Sequence, residues 1–259
     1  MNLLFWNLKG NSIEEHIINC LNENDIDIAV FSEYKGIDFN LVESNSSYKQ
    51  IIGFDGCDKI TMIAKQSISI TVKQEQSRYS IYSVLYNDTE YLIAGIHLQD
   101  RRSYPDPAIR IMTIQRLVND IEKIERNISN NNTIVIGDFN ANPYAPELLQ
   151  MNAFNAVLFK DLIEQSATNV VAGIRYKRFY NPILNYISES TKTYGSFRYS
   201  GGCSNPIWHC LDQIIVRKPL ANSIIDLEYI KSINGKSLIK RTNINSDISD
   251  HLPLFVKFI

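Results

Sequence analysis

Short β-branched and aromatic runs separated by polar turns recur along the chain and predict strands over residues 2–8, 27–32, 60–64, 79–86, 91–97, 133–138, 213–216 and 254–258. Several are almost wholly apolar, which implies burial on both faces. Helical spacing takes over in SIEEHIINCLNEN, where Ile13, Ile17, Ile18 and Leu21 line one face and Ser12 with Glu15 has the spacing of a capping box. A second helix is predicted from Pro107, a favourable first-turn residue, through Ile111, Ile114, Leu117, Val118, Ile121 and Ile124. Each helix has one apolar face and should lie on a sheet. Asn87 and Asp88 mark a hairpin turn, and 173–202 is the least regular stretch, long enough to be a functional loop or insertion. Without a repeat, low-complexity tract or linker, the chain reads as one domain, 1–259, of mixed sheets flanked by helices.

Composition adds limits. A chain of 259 residues, 44% hydrophobic and 21% charged, can bury a large core. No apolar run reaches the roughly 18 to 20 residues of a membrane span, and MNLLFWNLKGN reads as a first strand, not a signal peptide. Cys20, Cys57, Cys203 and Cys210 have no short CxxC spacing and are expected to be free thiols in a reducing cytoplasm. A net charge of −2 gives no global attraction to polyanions, so any nucleic-acid contact must come from a local basic patch.

Polar residues cluster where apolar runs stop. GDFNANP follows the run 133–136 and places Asp138 and Asn140 two residues apart, able together to orient a water and hold a phosphoryl oxygen. SDHLPL delivers Asp250 and His251 just before the last strand, an acid for a metal and an imidazole for proton transfer or phosphate binding. Asn7 in WNLKG, Glu33 in FSEY and His97 in GIHL each end another strand. Taken singly, each is as easily a polar turn; five such termini can converge on one rim of a sheet.

In this order, with Asp212 before the apolar run Gln213-Ile214-Ile215, the motifs resemble the endonuclease/exonuclease/phosphatase superfamily, deoxyribonuclease I-like, over essentially the whole chain. FYNPI, TYGSF and WHCLDQIIVRKPL resemble a bacterial subset of it. The resemblance implies an α+β fold, an α/β/β/α sandwich of two mixed sheets packed face to face between helices. It implies hydrolysis of phosphodiesters with Mg²⁺ or Mn²⁺, Glu33 being the principal ligand with Asn7 and Asp250 nearby. Asp138 would act on the attacking water, Asn140 and His251 would hold the phosphate, and Asp212 would orient His251. His97 would bind the phosphate or protonate the leaving oxygen. Whether Asp138 or His251 is the base stays open. Lys9 stands where abasic-site enzymes carry an Asp, and CLDQII departs from the usual Arg-Ile-Asp-Tyr-Ile type of run.

The candidate substrate surface is RYKRFY, with Arg175, Lys177, Arg178 and Tyr180, joined by Arg198 and Tyr199 and by Arg101 and Arg102 beyond His97. Basic residues among aromatics suit phosphates and stacked bases, which favours DNA or RNA as substrate. The mild acidity keeps a phosphorylated small molecule or lipid headgroup as the alternative, with a catalytically silent binding module behind it. The protein is expected to be monomeric. The resemblance also points to Asp58, an acid before the strand 60–64, as a carboxylate partner that would keep His97 protonated, the alternative being that Asp58 only shapes the turn into that strand.

Overall fold

The computed structural model describes residues 1–187, 194–199 and 207–259. Cys203, Gly202 and the rest of 188–193 and 200–206 lie outside them. The chain forms β1 (Asn2–Asn7), α1 (Glu14–Glu23), β2 (Ile28–Ser32), α2 (Phe39–Ser44), β3 (Tyr48–Ile51), β4 (Ile60–Lys65), β5 (Ser69–Gln76), β6 (Tyr79–Tyr86), β7 (Thr89–His97), α3 (Pro107–Ile128) and β8 (Thr133–Asp138). Later strands, Asp212–Val216, Ile224–Tyr229 and Leu254–Phe258, complete two large sheets. One sheet has the order Ile224–Tyr229, Leu254–Phe258, β1, β2, β4, β3, with only β1 and β2 parallel. The other runs β5, β6, β7, β8, Asp212–Val216, Phe179–Tyr180, Ala156–Val157, with β7 and β8 parallel at its centre.

Alternation along the central strands decides the layering. Ile93, Ile134, Ile136, Ile214 and Val216 face the first sheet, whereas Leu92, Ala94, Ile96, Val135 and Ile215 face α3 through Ile114, Leu117 and Ile121. Ile17, Cys20 and Leu21 of α1 are buried in the core with the first sheet. The layers are thus α/β/β/α, as the resemblance implied. Gly95 sits where the sheets approach: a Cβ there would meet Ile60 Cγ2 at 2.7 Å and Val30 Cγ1 at 2.8 Å. A Cβ on Gly137 would lie 2.0 Å from the Ile96 carbonyl oxygen, so the glycine of GDFNANP permits the β7–β8 approach.

Local signals succeed unevenly. Asn87 and Asp88 both have positive φ, 47° and 60°, the backbone of a type I′ hairpin between β6 and β7. Asp106 caps α3 by accepting from Ala108 N at 2.9 Å, and Pro107 occupies its first turn. The Ser12–Glu15 capping box does not form: Ser12 Oγ donates to the Gly36 carbonyl, and α1 starts at Glu14. Much of 173–187 is ordered, as the hairpin Thr168–Val171/Ile174–Lys177, the strand Phe179–Tyr180 and the turn of helix Ile183–Tyr186. Cys20, Cys57 and Cys210 are buried free thiols. Among the described residues no helix is long and apolar enough to cross a membrane.

Candidate active site

Strand register places three side chains in a row. His97 pairs with Asp138 across the parallel β7–β8 ladder, and Asp138 pairs with Asp212 across the antiparallel one. Neighbouring strands lie roughly 4.8 Å apart, so three residues widely separated in sequence become adjacent on one rim. The other sheet supplies Asn7 and Glu33 from the ends of β1 and β2. The Asn7 amide nitrogen donates to Glu33 Oε1 and to Asp138 Oδ2, 3.2 Å each, and its oxygen accepts from Lys9 N at 3.0 Å. Asn7 therefore ties the two sheets together as a donor between carboxylates, with its nitrogen rather than its ligand oxygen toward Glu33.

Glu33 and Asn140 both adopt left-handed backbone, φ 49° and 48°. Such residues carry strain of order 1–3 kcal/mol and persist where surrounding bonds hold them. Gly10 N binds the Glu33 carbonyl at 2.6 Å; Asn140 N donates to Asp138 Oδ1 at 2.8 Å and Asn140 Nδ2 to the Leu98 carbonyl at 2.8 Å. The SDH turn is fastened in the same way. Ser249 Oγ donates to the Asn7 carbonyl at 2.6 Å and accepts from His251 N at 3.0 Å, while Trp6 Nε1 donates to the His251 carbonyl.

His251 Nδ1 and Asp212 Oδ2 lie 2.7 Å apart, both buried, and the Tyr229 hydroxyl and Ser196 Oγ hold the Asp212 backbone. Burial opposes a charged His251, but the carboxylate of Asp212, with Asp138 and Asp250 nearby, outweighs it and raises its pKa well above the usual imidazole value. Asp138 is raised by burial and by the neighbouring Asp212 charge, against the pull of His251 and of bonds from Asn140 and Asn7. The pair resolves into a cationic histidine beside a carboxyl poised to take a proton.

His97 differs from expectation. Its Nε2 is 3.6 Å from Glu33 Oε1 and 3.7 Å from Asp138 Oδ2, and its Nδ1 has no hydrogen-bond partner among the described residues. Burial, then the positive charges of Arg78 and His251, push its pKa down to about 4, so it is neutral at pH 7. Asp58 is not its partner. That carboxylate is 58% exposed and paired with Lys35 at 2.9 Å and Lys59 at 3.5 Å.

A cleft of about 570 Å³ opens over this rim, lined by Glu33, Asn140, Asp250 and His251, by Arg101 and Arg102, and by Phe197, Tyr199 and His209. Arg101 is anchored by Glu147 at 2.9 Å, and Arg102 stacks over Tyr199 at 5.2 Å. RYKRFY is not there. Tyr180 pairs with Val216, four residues along the strand from Asp212 and so at the opposite end of the sheet. Tyr180 is buried, Lys177 is bound to Glu125 at 2.8 Å, Arg178 donates to the Ser166 carbonyl, and Arg175 lies on the Ile174–Lys177 hairpin beside α3. Conversely, Phe197 and His209 were missed by sequence reasoning: Phe197 packs at 5.0 Å on the His251 ring, and His209 Nδ1 is 3.0 Å from Asn142 Nδ2. Both lie in segments, TYGSF and WHCLDQIIVRKPL, that carried a family resemblance but no role for these two residues, and Asn142 lies inside GDFNANP.

No protein-family profile and no curated protein matches the chain in sequence. Solved structures match its fold from end to end. An AP endonuclease from Archaeoglobus fulgidus has 16% identity, covers 100% of this chain and 99% of its own, and has a TM-score of 0.60. TDP2 from D. rerio, complexed with single-strand DNA product, gives 14%, 100% and 98%, and 0.61. The endonuclease domain of TRAS1, a telomere-specific non-LTR retrotransposon, gives 10%, 99% and 97%, and 0.58. The deoxyribonuclease I-like fold implied by the motifs is the fold observed.

Proposed function

We propose that this chain is a divalent-metal-dependent phosphodiester hydrolase of the endonuclease/exonuclease/phosphatase superfamily, acting as a nuclease on DNA or RNA. The observation that carries the reading is the His251–Asp212 pair set beside Asp138 and roofed by a cleft with two arginines. In this reading water attacks phosphorus in line and Asp138 receives its proton, a role suited to a carboxyl raised toward neutrality. His251, held cationic by Asp212, faces the phosphate charge, and Asn140 positions a phosphoryl oxygen. The raised pKa of His251 favours Asp138 over His251 as base. Neutral His97 contributes a hydrogen-bonding imidazole beside Glu33, not a proton at pH 7.

The donors fit a hard cation. Glu33 offers a half-exposed carboxylate beside Asp138 and Asn7, and Asp250 lines the same cleft. Asp138, Asp212 and His251 are also close enough to hold an ion, but there His251 Nδ1 is already committed to Asp212. Glu33 is therefore the expected Mg²⁺ or Mn²⁺ site, where the ion would neutralise charge on the phosphate and leaving oxygen.

The test is hydrolysis of plasmid, single-stranded DNA, RNA and phosphodiester and phosphomonoester reporters with Mg²⁺ and with excess EDTA. Cleavage of a nucleic acid that EDTA abolishes is expected. Full activity in EDTA overturns the metal assignment, hydrolysis of small reporters alone moves the substrate to small phosphoesters, and total inactivity leaves a binding module.

A further inference from the structure

The wall of the cleft is a two-strand ladder, and its other side faces a second cavity. Phe197 pairs with His209, and Arg198 with Trp208. Alternation sends Phe197 and His209 into the cleft, whereas Arg198 and Trp208 line a separate cavity of about 330 Å³. The partition is as thin beneath it: His251 lines the cleft and its neighbour Leu252 lines the second cavity.

The chemistry of this cavity is uniform. Trp208 and Tyr194 form an aromatic pair, centroids 6.2 Å apart and tilted by 38°. Arg198, Lys231 and Arg241 bring positive charge, Ile239 and Leu252 an apolar floor, and no acid stands among the described lining residues. Arg198 Nη1 donates to Asn243 Oδ1, which fixes its guanidinium. A flat apolar ligand carrying negative charge matches aromatic faces beside cations. The volume lies at the lower end of the ~300–1,000 Å³ of small-ligand pockets, room for a single base and not for a paired, stacked duplex.

We propose that this cavity takes one unpaired nucleotide of the substrate strand next to the scissile phosphate, its base against Trp208 and Tyr194 and its phosphate facing Arg198, Lys231 and Arg241. The inference rests on the nuclease reading and narrows it to single-stranded or frayed nucleic acid, because a base must leave the helix to enter. The ladder then divides the strand, with chemistry on its Phe197 side and anchoring on its Trp208 side.

The experiment compares kcat/KM for a single-stranded oligonucleotide, the same sequence as a blunt duplex, and a bis(p-nitrophenyl) phosphate reporter in Mg²⁺, for wild type, Trp208→Leu and Arg241→Ala. The wild type should prefer the single strand. Trp208→Leu should lower oligonucleotide kcat/KM about tenfold or more relative to the reporter, the scale of one lost base stack. Arg241→Ala, at an exposed position that tests charge without disturbing packing, should weaken the oligonucleotide most at low salt. A 2-aminopurine placed beside the cleavage site should be quenched by wild type and not by Trp208→Leu. The proposal falls if both variants cut the oligonucleotide like wild type, if oligonucleotide and reporter fall together, or if duplex and single strand are cut equally. If the wild type cuts the reporter but no oligonucleotide, the nuclease reading itself falls.

Discussion

The strand pair β8 and Asp212–Val216 carries a buried ionic cluster at each end, and the two clusters are built differently. At the Thr133 end, Glu125 accepts from Thr133 Oγ1 at 2.7 Å, Arg217 Nε at 2.9 Å and Lys177 Nζ at 2.8 Å, and Arg217 stacks on Phe179 at 3.9 Å. Burial alone would raise the Glu125 pKa, but Arg217 and Lys177 outweigh it and lower it. At the Asp138 end, two buried acids share one histidine, Asp212 Oδ1 and His97 Nδ1 lack partners among the described residues, and two residues hold left-handed backbone. Burial is equal; satisfaction is not. Unsatisfied groups cost stability, and their concentration at one end, beneath a cleft, is what supports the proposed site there.

The strongest way to break this contrast is Asp138→Asn, which keeps shape and removes the proposed proton acceptor. Turnover on the proposed nucleic-acid substrate should fall about a hundredfold or more while the melting temperature holds or rises, since a buried charge facing Asp212 has gone. Wild-type turnover would make Asp138 a turn residue. At the other end, Glu125→Ala should leave Arg217 buried without its partner and lose about 3–5 kcal/mol in denaturant unfolding. A loss of turnover per folded molecule, with stability intact, would reverse the assignment of the two ends.

A smaller change should sharpen the site. Asp212→Asn retains an acceptor for His251 Nδ1 but removes the charge that raises the imidazole pKa above its usual 6.5. Because the proposed mechanism requires the protonated ring, the alkaline limb of the pH–rate profile should move to lower pH; an unmoved limb would leave His251 uncoupled from Asp212. The smallest effect belongs to Arg175→Ala, which should leave KM for nucleic acid within twofold. A large rise in KM would return the RYKRFY segment to the substrate surface.

Patterns with short range were legible in the sequence. The central strands, the type I′ turn at Asn87-Asp88, the Pro107 helix start and the polar residues ending the apolar runs follow from spacing and backbone preference, which a local window contains. The motif order was enough to point to the fold. Register was not in that window: that His97, Asp138 and Asp212 stand side by side depends on which strands pair and in what phase, and a shift of one residue would turn each side chain to the other face. For the same reason RYKRFY read as a substrate surface, its aromatic and basic residues being indistinguishable from buried partners until Glu125 and Val216 are placed beside them. The Ser12 capping box failed because Gly36 offered its hydroxyl a tertiary acceptor, and the Asp58–His97 pairing failed because Lys35 and Lys59 are nearer. Sequence chose the residue types that chemistry requires; tertiary packing decided their charge states, because burial and the distance to the next charge set a pKa, and neither exists before the sheets close.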